Sequence, residues 1–143
     1  GDWNGARAAL ETALTLDPKN AQILNYLGYS LLERRIDVPR GFELVSKAHE
    51  LAPQSAAITD SLGWAYFLKG DVDTAIPLLE RAVAAAIADA AINEHLGDAY
   101  WAAGRRSEAR FAWKAAALAA EDKTGVRLAR KIDFGWTKET AAP

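Results

Sequence analysis

Apolar residues recur at helical spacing along most of the chain, in pairs of segments joined by short polar turns. In one such pair the apolar positions are Ile58, Leu62, Ala65 and Tyr66, followed by Ala75, Leu78, Leu79 and Ala82. A spacing of three or four residues places these side chains on one face of a helix. Gly70 lies between the two segments, and glycine readily adopts the left-handed conformation that ends many helices. The pattern therefore predicts a hairpin of two antiparallel helices.

The hairpin pattern repeats with a period of 34 or 35 residues. Gly63 and Tyr66 recur as Gly97 and Tyr100, and Gly28 precedes Gly63 by thirty-five positions. The residues before the first helix of each full copy are Asn20, Ser55 and Asp89. All three are good N-cap residues, because a side-chain oxygen accepts a hydrogen bond from a free amide of the first turn. A repeat of this length is typical of a solenoid of stacked helices.

The register of the repeat divides the chain into six parts. They are residues 1–20 (the second helix of a truncated repeat), 21–55, 56–89 and 90–121 (three full repeats), 122–134 (a capping helix) and 135–143 (a tail, expected to be frayed). A solenoid needs a cap with a polar outer face because its last repeat has no neighbour. We interpret the basic residues of this cap, Arg127, Arg130 and Lys131, as a solvated face, with contact to a membrane surface as the alternative.

Glycine recurs in the middle of each predicted first helix, where it costs about 1 kcal/mol relative to alanine. The predicted contacts across the three hairpins pair Gly28 with Gly41, Gly63 with Ala75, and Gly97 with Ala109. Small residues on both sides would let the two backbones approach closely, which explains the glycines. The turn of the first full repeat has one extra residue and carries Arg35 where the other copies carry glycine. We therefore expect this turn to follow a different path.

Composition and charge narrow the class of protein. Half of the 143 residues are hydrophobic, the net charge is −2 and the isoelectric point is about 5.7, which gives no footprint for nucleic acid. An uninterrupted apolar run long enough to span a membrane is missing. The chain has no cysteine and no methionine, and it begins halfway through a repeat. We therefore expect a processed or engineered fragment of a longer protein, in which any targeting segment would lie upstream.

Residue patterns that carry chemistry are almost missing. His49 and His95 are the two histidines, and neither has a second histidine or a cysteine at the spacing of a metal ligand. The segment after Asp71 begins like a calcium loop, but Ile76 and Ala82 occupy the positions that need glycine and glutamate. Phosphate-binding glycine loops and nucleophile motifs are also missing. The sequence therefore predicts no catalytic residues, no metal site and no cofactor.

The repeat resembles the tetratricopeptide repeat (TPR) family, whose pattern is small and large apolar residues at fixed positions of a 34-residue helix pair. The matching positions of two copies are Leu62, Gly63, Tyr66, Gly70, Ala75, Leu79 and Ala82, then Leu96, Gly97, Tyr100, Gly104, Ala109, Trp113 and Ala116. The resemblance extends to about residue 121. It implies an all-α fold, a right-handed superhelical solenoid of antiparallel helix pairs with a C-terminal capping helix.

The resemblance also implies a binding surface, because first helices of TPR proteins line a concave groove. The positions that would face this concave groove and contact a partner are Asn25, Tyr29, Glu33, Asp60, Trp64, Phe67, Glu94, Asp98 and Trp101. The set is aromatic and acidic, so it predicts a peptide or helix with basic and apolar residues as partner. It does not match the basic groove with which some TPR domains bind a terminal carboxylate. Packing of Phe67 against the following repeat remains an alternative to groove contact.

Two functions remain open at this stage. The first is a non-catalytic protein–protein interaction module, and the second is a structural spacer or self-association segment of a longer solenoid. The second rests on the unpartnered first helix, residues 3–16, whose apolar Leu10 and Leu14 would be partly bare. The sequence is similar to long bacterial TPR proteins, several of which are exported, lipid-anchored adaptors. That similarity implies a periplasmic or envelope setting, with the cytoplasm as the alternative.

Overall fold

Eight α-helices and one short 3-10 helix make up the computed structural model, which describes residues 1–143 apart from the side chain of Asp122. The α-helices are α1 (Trp3–Leu16), α2 (Ala21–Glu33), α3 (Val38–Leu51), α4 (Ala56–Leu68), α5 (Val72–Ala85), α6 (Ala90–Ala102), α7 (Arg106–Ala119) and α8 (Asp122–Phe134). The 3-10 helix follows at Lys138–Thr140. Antiparallel pairs form between α2 and α3, α4 and α5, and α6 and α7, and each pair packs on the next. The predicted all-helical solenoid is confirmed.

The ends of the helices follow the local sequence as predicted. The side chains of Asn20, Ser55 and Asp89 accept hydrogen bonds from the amides of Ile23, Ile58 and Ile92, respectively. Gly70 and Gly104 have φ angles of +87° and +79°, in the left-handed region that favours glycine. The turn between α2 and α3 differs, because Arg35 and Asp37 take positive φ angles without being glycine. The expectation of a different path for this turn is confirmed.

Close helix packing at the central glycines is confirmed, and large side chains of the second helix take part in it. A Cβ atom on Gly28 would lie 3.0 Å from the carbonyl oxygen of Gly41, as the hairpin pairing requires. The atoms nearest to a Cβ on Gly63 belong to Leu79, at 2.9 Å, and those nearest to one on Gly97 belong to the ring of Trp113. Large side chains of the second helix therefore fill the space that these two glycines leave.

The C-terminal part departs most from expectation. Helix α8 packs against α7 through Leu128, which is fully buried, and through Ile132. The chain then turns at Gly135, and the tail of residues 135–143 folds back onto the solenoid with Thr140 and Ala142 buried. The expectation of a frayed tail is therefore wrong, because backbone groups of the tail bind polar side chains of α6 and of the turn after α2.

Candidate functional site

The concave groove is formed by the three first helices, since α2 contacts α4 and α4 contacts α6. The structure leaves none of its nine predicted contact residues exposed. The buried ones are Asp60, Trp64, Glu94 and Asp98, and the partly buried ones are Asn25, Tyr29, Glu33, Phe67 and Trp101. Glu94, Asp98 and Trp101 are contacted by α8 and the tail, residues 122–143, which we call the C-terminal segment.

Two basic side chains of α8 bind the acidic residues of α6. Lys131 has no exposed surface, and its Nζ donates to Glu94 Oε1 at 2.6 Å and to Asp98 Oδ1 at 2.7 Å. Arg127 donates through Nε and Nη2 to the two oxygens of Glu94, at 2.8 and 2.7 Å. Such a two-pronged arginine–carboxylate pair combines charge with a fixed geometry. Residues four apart on α8 thus meet residues four apart on α6.

Asp98 also binds the backbone of the tail. Its Oδ2 accepts a hydrogen bond of 2.9 Å from the amide of Ala142, and its Oδ1 accepts one of 2.9 Å from Trp113 Nε1. On the other side of the tail, Arg35 donates through Nη2 to the carbonyl oxygen of Ala142 at 3.1 Å. The tail therefore bridges the turn after α2 and the middle of α6.

His95 connects the tail to α4. Its Nδ1 lies 2.9 Å from Asp60 Oδ1, and its Nε2 lies 3.3 Å from the carbonyl oxygen of Pro143. The ring stacks on Trp64 with centroids 4.1 Å apart. Because both ring nitrogens face acceptors, the geometry favours the doubly protonated imidazolium. We call these residues the buried cluster. With a charged His95 it has three acids, Asp60, Glu94 and Asp98, and three bases, His95, Arg127 and Lys131.

The buried charges shift the pKa values of the cluster. Burial by itself lowers the pKa of His95, but the charge and hydrogen bond of Asp60 outweigh it and leave the pKa raised. Burial alone would raise the pKa of Glu94, yet the hydrogen bonds from Arg127 and Lys131 hold it below its usual value. Burial raises the pKa of the Tyr29 hydroxyl, and the Asp60 charge adds to the effect. A cationic His95 and an anionic Glu94 are therefore the favoured forms.

The aromatic residues of the groove are packed within the fold. Trp64 is fully buried between the rings of His95 and Phe67, and Phe67 also packs against the core between the second and third full repeats. Trp101 lies under Arg106, whose guanidinium carbon is 3.8 Å from the ring centroid, and beside Gly135. In this conformation the interpretation of Trp64 as a partner anchor does not hold, because no face of its ring is free.

Three residues of the cluster lie where the sequence pattern does not place them. The pattern predicts a solvated face for Arg127, Arg130 and Lys131, but Arg127 and Lys131 extend into the concave groove, and only Arg130 of these three is exposed. Nothing in the pattern assigns His95 to an ionic cluster. The sequence does contain one signal, which is charge balance. Asp60, Glu94 and Asp98 have no lysine or arginine in their own helices, and α8 carries Arg127 and Lys131 four residues apart.

Part of the concave groove stays open beside the tail. A cleft of about 390 Å³ is lined by Tyr29, Glu33, Glu94, His95, Arg127 and Pro143, among others. Within the part of the chain that the structure describes, no cluster of three or more His, Asp or Glu side chains is arranged to hold a metal ion. Across the same residues, helices with the length and apolarity of a membrane span are not found.

Three comparisons relate the chain to known proteins. Residues 1–56, 40–90 and 61–124 each match the family described as tetratricopeptide repeat. The TPR repeat-containing protein PA4667 of Pseudomonas aeruginosa is 38% identical over 74 residues, which are 52% of this chain and 12% of that protein. The chain thus spans about an eighth of the length of this relative.

Solved structures show the same fold. The crystal structure of MamA is 27% identical, has a TM-score of 0.73 and is matched over 94% of this chain and 77% of that one. TTC0263, a thermophilic TPR protein in Thermus thermophilus, is 22% identical with a TM-score of 0.74, over 92% and 73% of the two chains. With its repeat, its solenoid and these matches, the chain belongs to the tetratricopeptide repeat family, whose fold is a scaffold for protein–protein interaction.

Proposed function

We propose that this chain is a non-catalytic interaction module whose concave groove binds a partner segment with basic and apolar side chains. The observation that carries the proposal is the convergence of Asp60, Glu94 and Asp98 on one concave surface. These carboxylates already bind basic side chains and a backbone amide in this structure. A segment of similar chemistry from another protein would meet the same donors and acceptors.

The open cleft supports the proposal by offering an accessible entry. Glu33 and Tyr29 line it together with apolar Ala91, and Glu33 is only partly buried. The Glu33 carboxylate, which pairs with Arg34 at the surface, would attract a basic side chain arriving at the cleft. Charges at the rim of a binding surface act mainly on the association rate and its salt dependence.

The test begins with capture of partners by the full-length protein and continues with the captured segment as a synthetic peptide. Glu33→Lys should slow association of that peptide, more at low than at high salt, because it reverses a charge at the entry. Glu50→Lys is the matched control, since Glu50 is an exposed glutamate on α3, away from the cleft. Equal binding to the parent, Glu33→Lys and a Tyr29→Ala variant would place the partner on another surface.

Self-association through α1 is the second candidate function. Helix α1 has no buried residue, and Leu16 is 82% and Tyr26 67% exposed. An apolar cleft beside it is lined by Leu10, Gln22, Ile23 and Tyr26. Exposed apolar patches of this kind favour association. Sedimentation should then show a dimer that Tyr26→Lys dissociates, whereas a monomer at every concentration would eliminate this function.

A further inference from the structure

We infer that the C-terminal segment is an intramolecular ligand of the concave groove, and that a partner segment binds after displacing it. The inference rests on the proposed function and adds the chemistry and the control of the site. Residues 122–143 make more contacts than a cap needs, because they also bind polar groups of the concave groove. A cap has to cover the apolar face of the last repeat, and Leu128 and Ile132 do this against Trp113 and Ala116.

The remaining contacts of the C-terminal segment are polar and reach across the solenoid. Arg127 and Lys131 bind the carboxylate of Glu94, which precedes them by 33 and 37 positions along the chain. The carbonyl oxygen of Ala142 accepts from Arg35, 107 positions away. These contacts place basic side chains and an extended backbone on the surface where a partner segment of a TPR protein is expected.

The bound segment defines the ligand that the concave groove accepts. It is a helix with arginine and lysine four residues apart and leucine directly after the arginine, here Arg127, Leu128 and Lys131. A glycine turn and a short extended stretch of small residues, Ala141 to Pro143, follow it. The two cations neutralise Glu94 and Asp98, and the extended stretch offers a backbone amide and carbonyl oxygens to Asp98, Arg35 and His95.

Exchange with a partner segment is favoured by the nature of these contacts. A buried ion pair contributes little net stability, because removing both charges from water offsets much of their attraction. A broken pair is costly, so the carboxylates of α6 need basic partners at all times. An incoming segment that brings the same charges can therefore replace the C-terminal segment at small net cost, whereas an uncharged one cannot.

The experiment uses a fluorescently labelled peptide with the sequence of residues 122–143 and the full chain. In the Arg127→Glu, Lys131→Glu double variant, repulsion from Glu94 and Asp98 should expel the C-terminal segment and empty the concave groove. The peptide should then bind the double variant about tenfold or more tightly than the parent, because the competing intramolecular ligand is gone. Fluorescence anisotropy gives both dissociation constants.

Two controls isolate the cause. Arg130→Glu changes an exposed charge of α8 and should leave peptide binding as in the parent. A peptide with glutamate in place of its arginine and lysine at positions 127 and 131 should not bind the double variant. If the double variant does not fold, Arg127→Gln with Lys131→Gln takes its place, because it removes the two cations that hold the segment without adding negative charge to the concave groove.

Two results would overturn the inference. Equal peptide affinity for the parent and the variants means that the C-terminal segment does not close the concave groove. No binding to any variant means that the segment is not an exchangeable ligand. The proposed function survives both results if binding of the captured partner peptide is still weakened by Glu33→Lys. The inference and the proposed function can therefore fail independently.

Discussion

The ammonium group of Lys131 lies between two carboxylates, with no surface exposed to water. Lysine is seldom buried unless it is paired, and here Glu94 and Asp98 provide the pairing. Removing only this cation would leave the buried Asp98 without a basic partner, while Arg127 would still bind Glu94. The contribution of Lys131 to stability therefore comes mainly from preventing an unpaired buried carboxylate.

Lys131→Met keeps the length of the side chain and removes its charge. We expect the free energy of unfolding to fall by about 3–5 kcal/mol, because the carboxylates of α6 lose their buried partner. Arg130→Met, on the exposed face of the same helix, should change it by no more than about 0.5 kcal/mol. Urea unfolding followed by circular dichroism measures both, and similar stabilities for the two variants would contradict the buried cluster.

His95 should make the stability of the fold dependent on pH, because its ring lies between Asp60 and the carbonyl oxygen of Pro143. Its pKa in the fold is raised above the usual 6.5, so its charged form stabilises the folded state at pH values below that figure. This stabilisation is lost as the pH rises through the folded pKa. The groups that face the ring are Asp60 from α4, Tyr29 from α2, Asp98 from α6 and the carbonyl oxygen of Pro143.

We therefore expect the parent to lose stability relative to His95→Gln as the pH rises from about 6 to about 9. Glutamine can still donate a hydrogen bond to Asp60, but it does not titrate. Thermal unfolding of both proteins across this range measures the difference. A difference that stays constant with pH would show that the pKa of His95 is not raised in the fold, and a parent that gains stability over this range would show that His95 is neutral there.

At the scale of helices and turns, the sequence predicted what depends on nearby residues. The helix starts at Asn20, Ser55 and Asp89 and the glycine turns at Gly70 and Gly104 follow from side chains within a few positions. The position of the C-terminal segment could not be predicted in this way. It depends on contacts between residues 33 to 107 positions apart, and the register shows which residues face inward but not what covers them.

Gly135 is the hinge on which the tail folds back. Its φ of +89° and ψ of −179° fall in a region that only glycine adopts readily, and a Cβ atom would overlap the ring of Trp101. Gly135→Ala should therefore cost about 1–3 kcal/mol and detach the tail. Gly125→Ala, in α8 where a Cβ meets open space, should instead stabilise by about 0.5–1 kcal/mol. If thermal unfolding shows that both variants are stabilised, or that both are destabilised, this geometry is contradicted.

Helix α1 is held more weakly than the helices of the full repeats. None of its residues is buried, and its apolar Trp3, Leu10 and Leu14 only partly cover the core beside α2. We expect its amides to exchange with solvent faster than those of α4 and α6, because local opening exposes little apolar surface. Hydrogen exchange followed by mass spectrometry tests this, and equal protection would show that α1 is stabilised by association or by further contacts.

Across the whole molecule, the C-terminal segment joins the last repeat to the first full one. Arg35 lies after α2, Asp98 lies in α6, and both bind Ala142 of the tail. The acidic residues that the sequence assigns to a partner are thus neutralised by basic residues of the same chain. A net charge of −2 conceals this local pairing, because the opposite charges lie close together only in the fold. The concave groove therefore already holds a ligand, the C-terminal segment of the same chain.

The exchange rate of the Ala142 amide with solvent reports whether the C-terminal segment occupies the concave groove. Ala142 is buried and its amide donates to Asp98. If the tail were detached, the same amide would be exposed to solvent. Proton exchange measured by NMR on the full chain should find it protected at a level above the amides of α1. Lys131→Met should remove that protection, while Arg130→Met should not. An Ala142 amide that exchanges in the parent at the rate of an unstructured peptide would mean that the C-terminal segment does not occupy the concave groove.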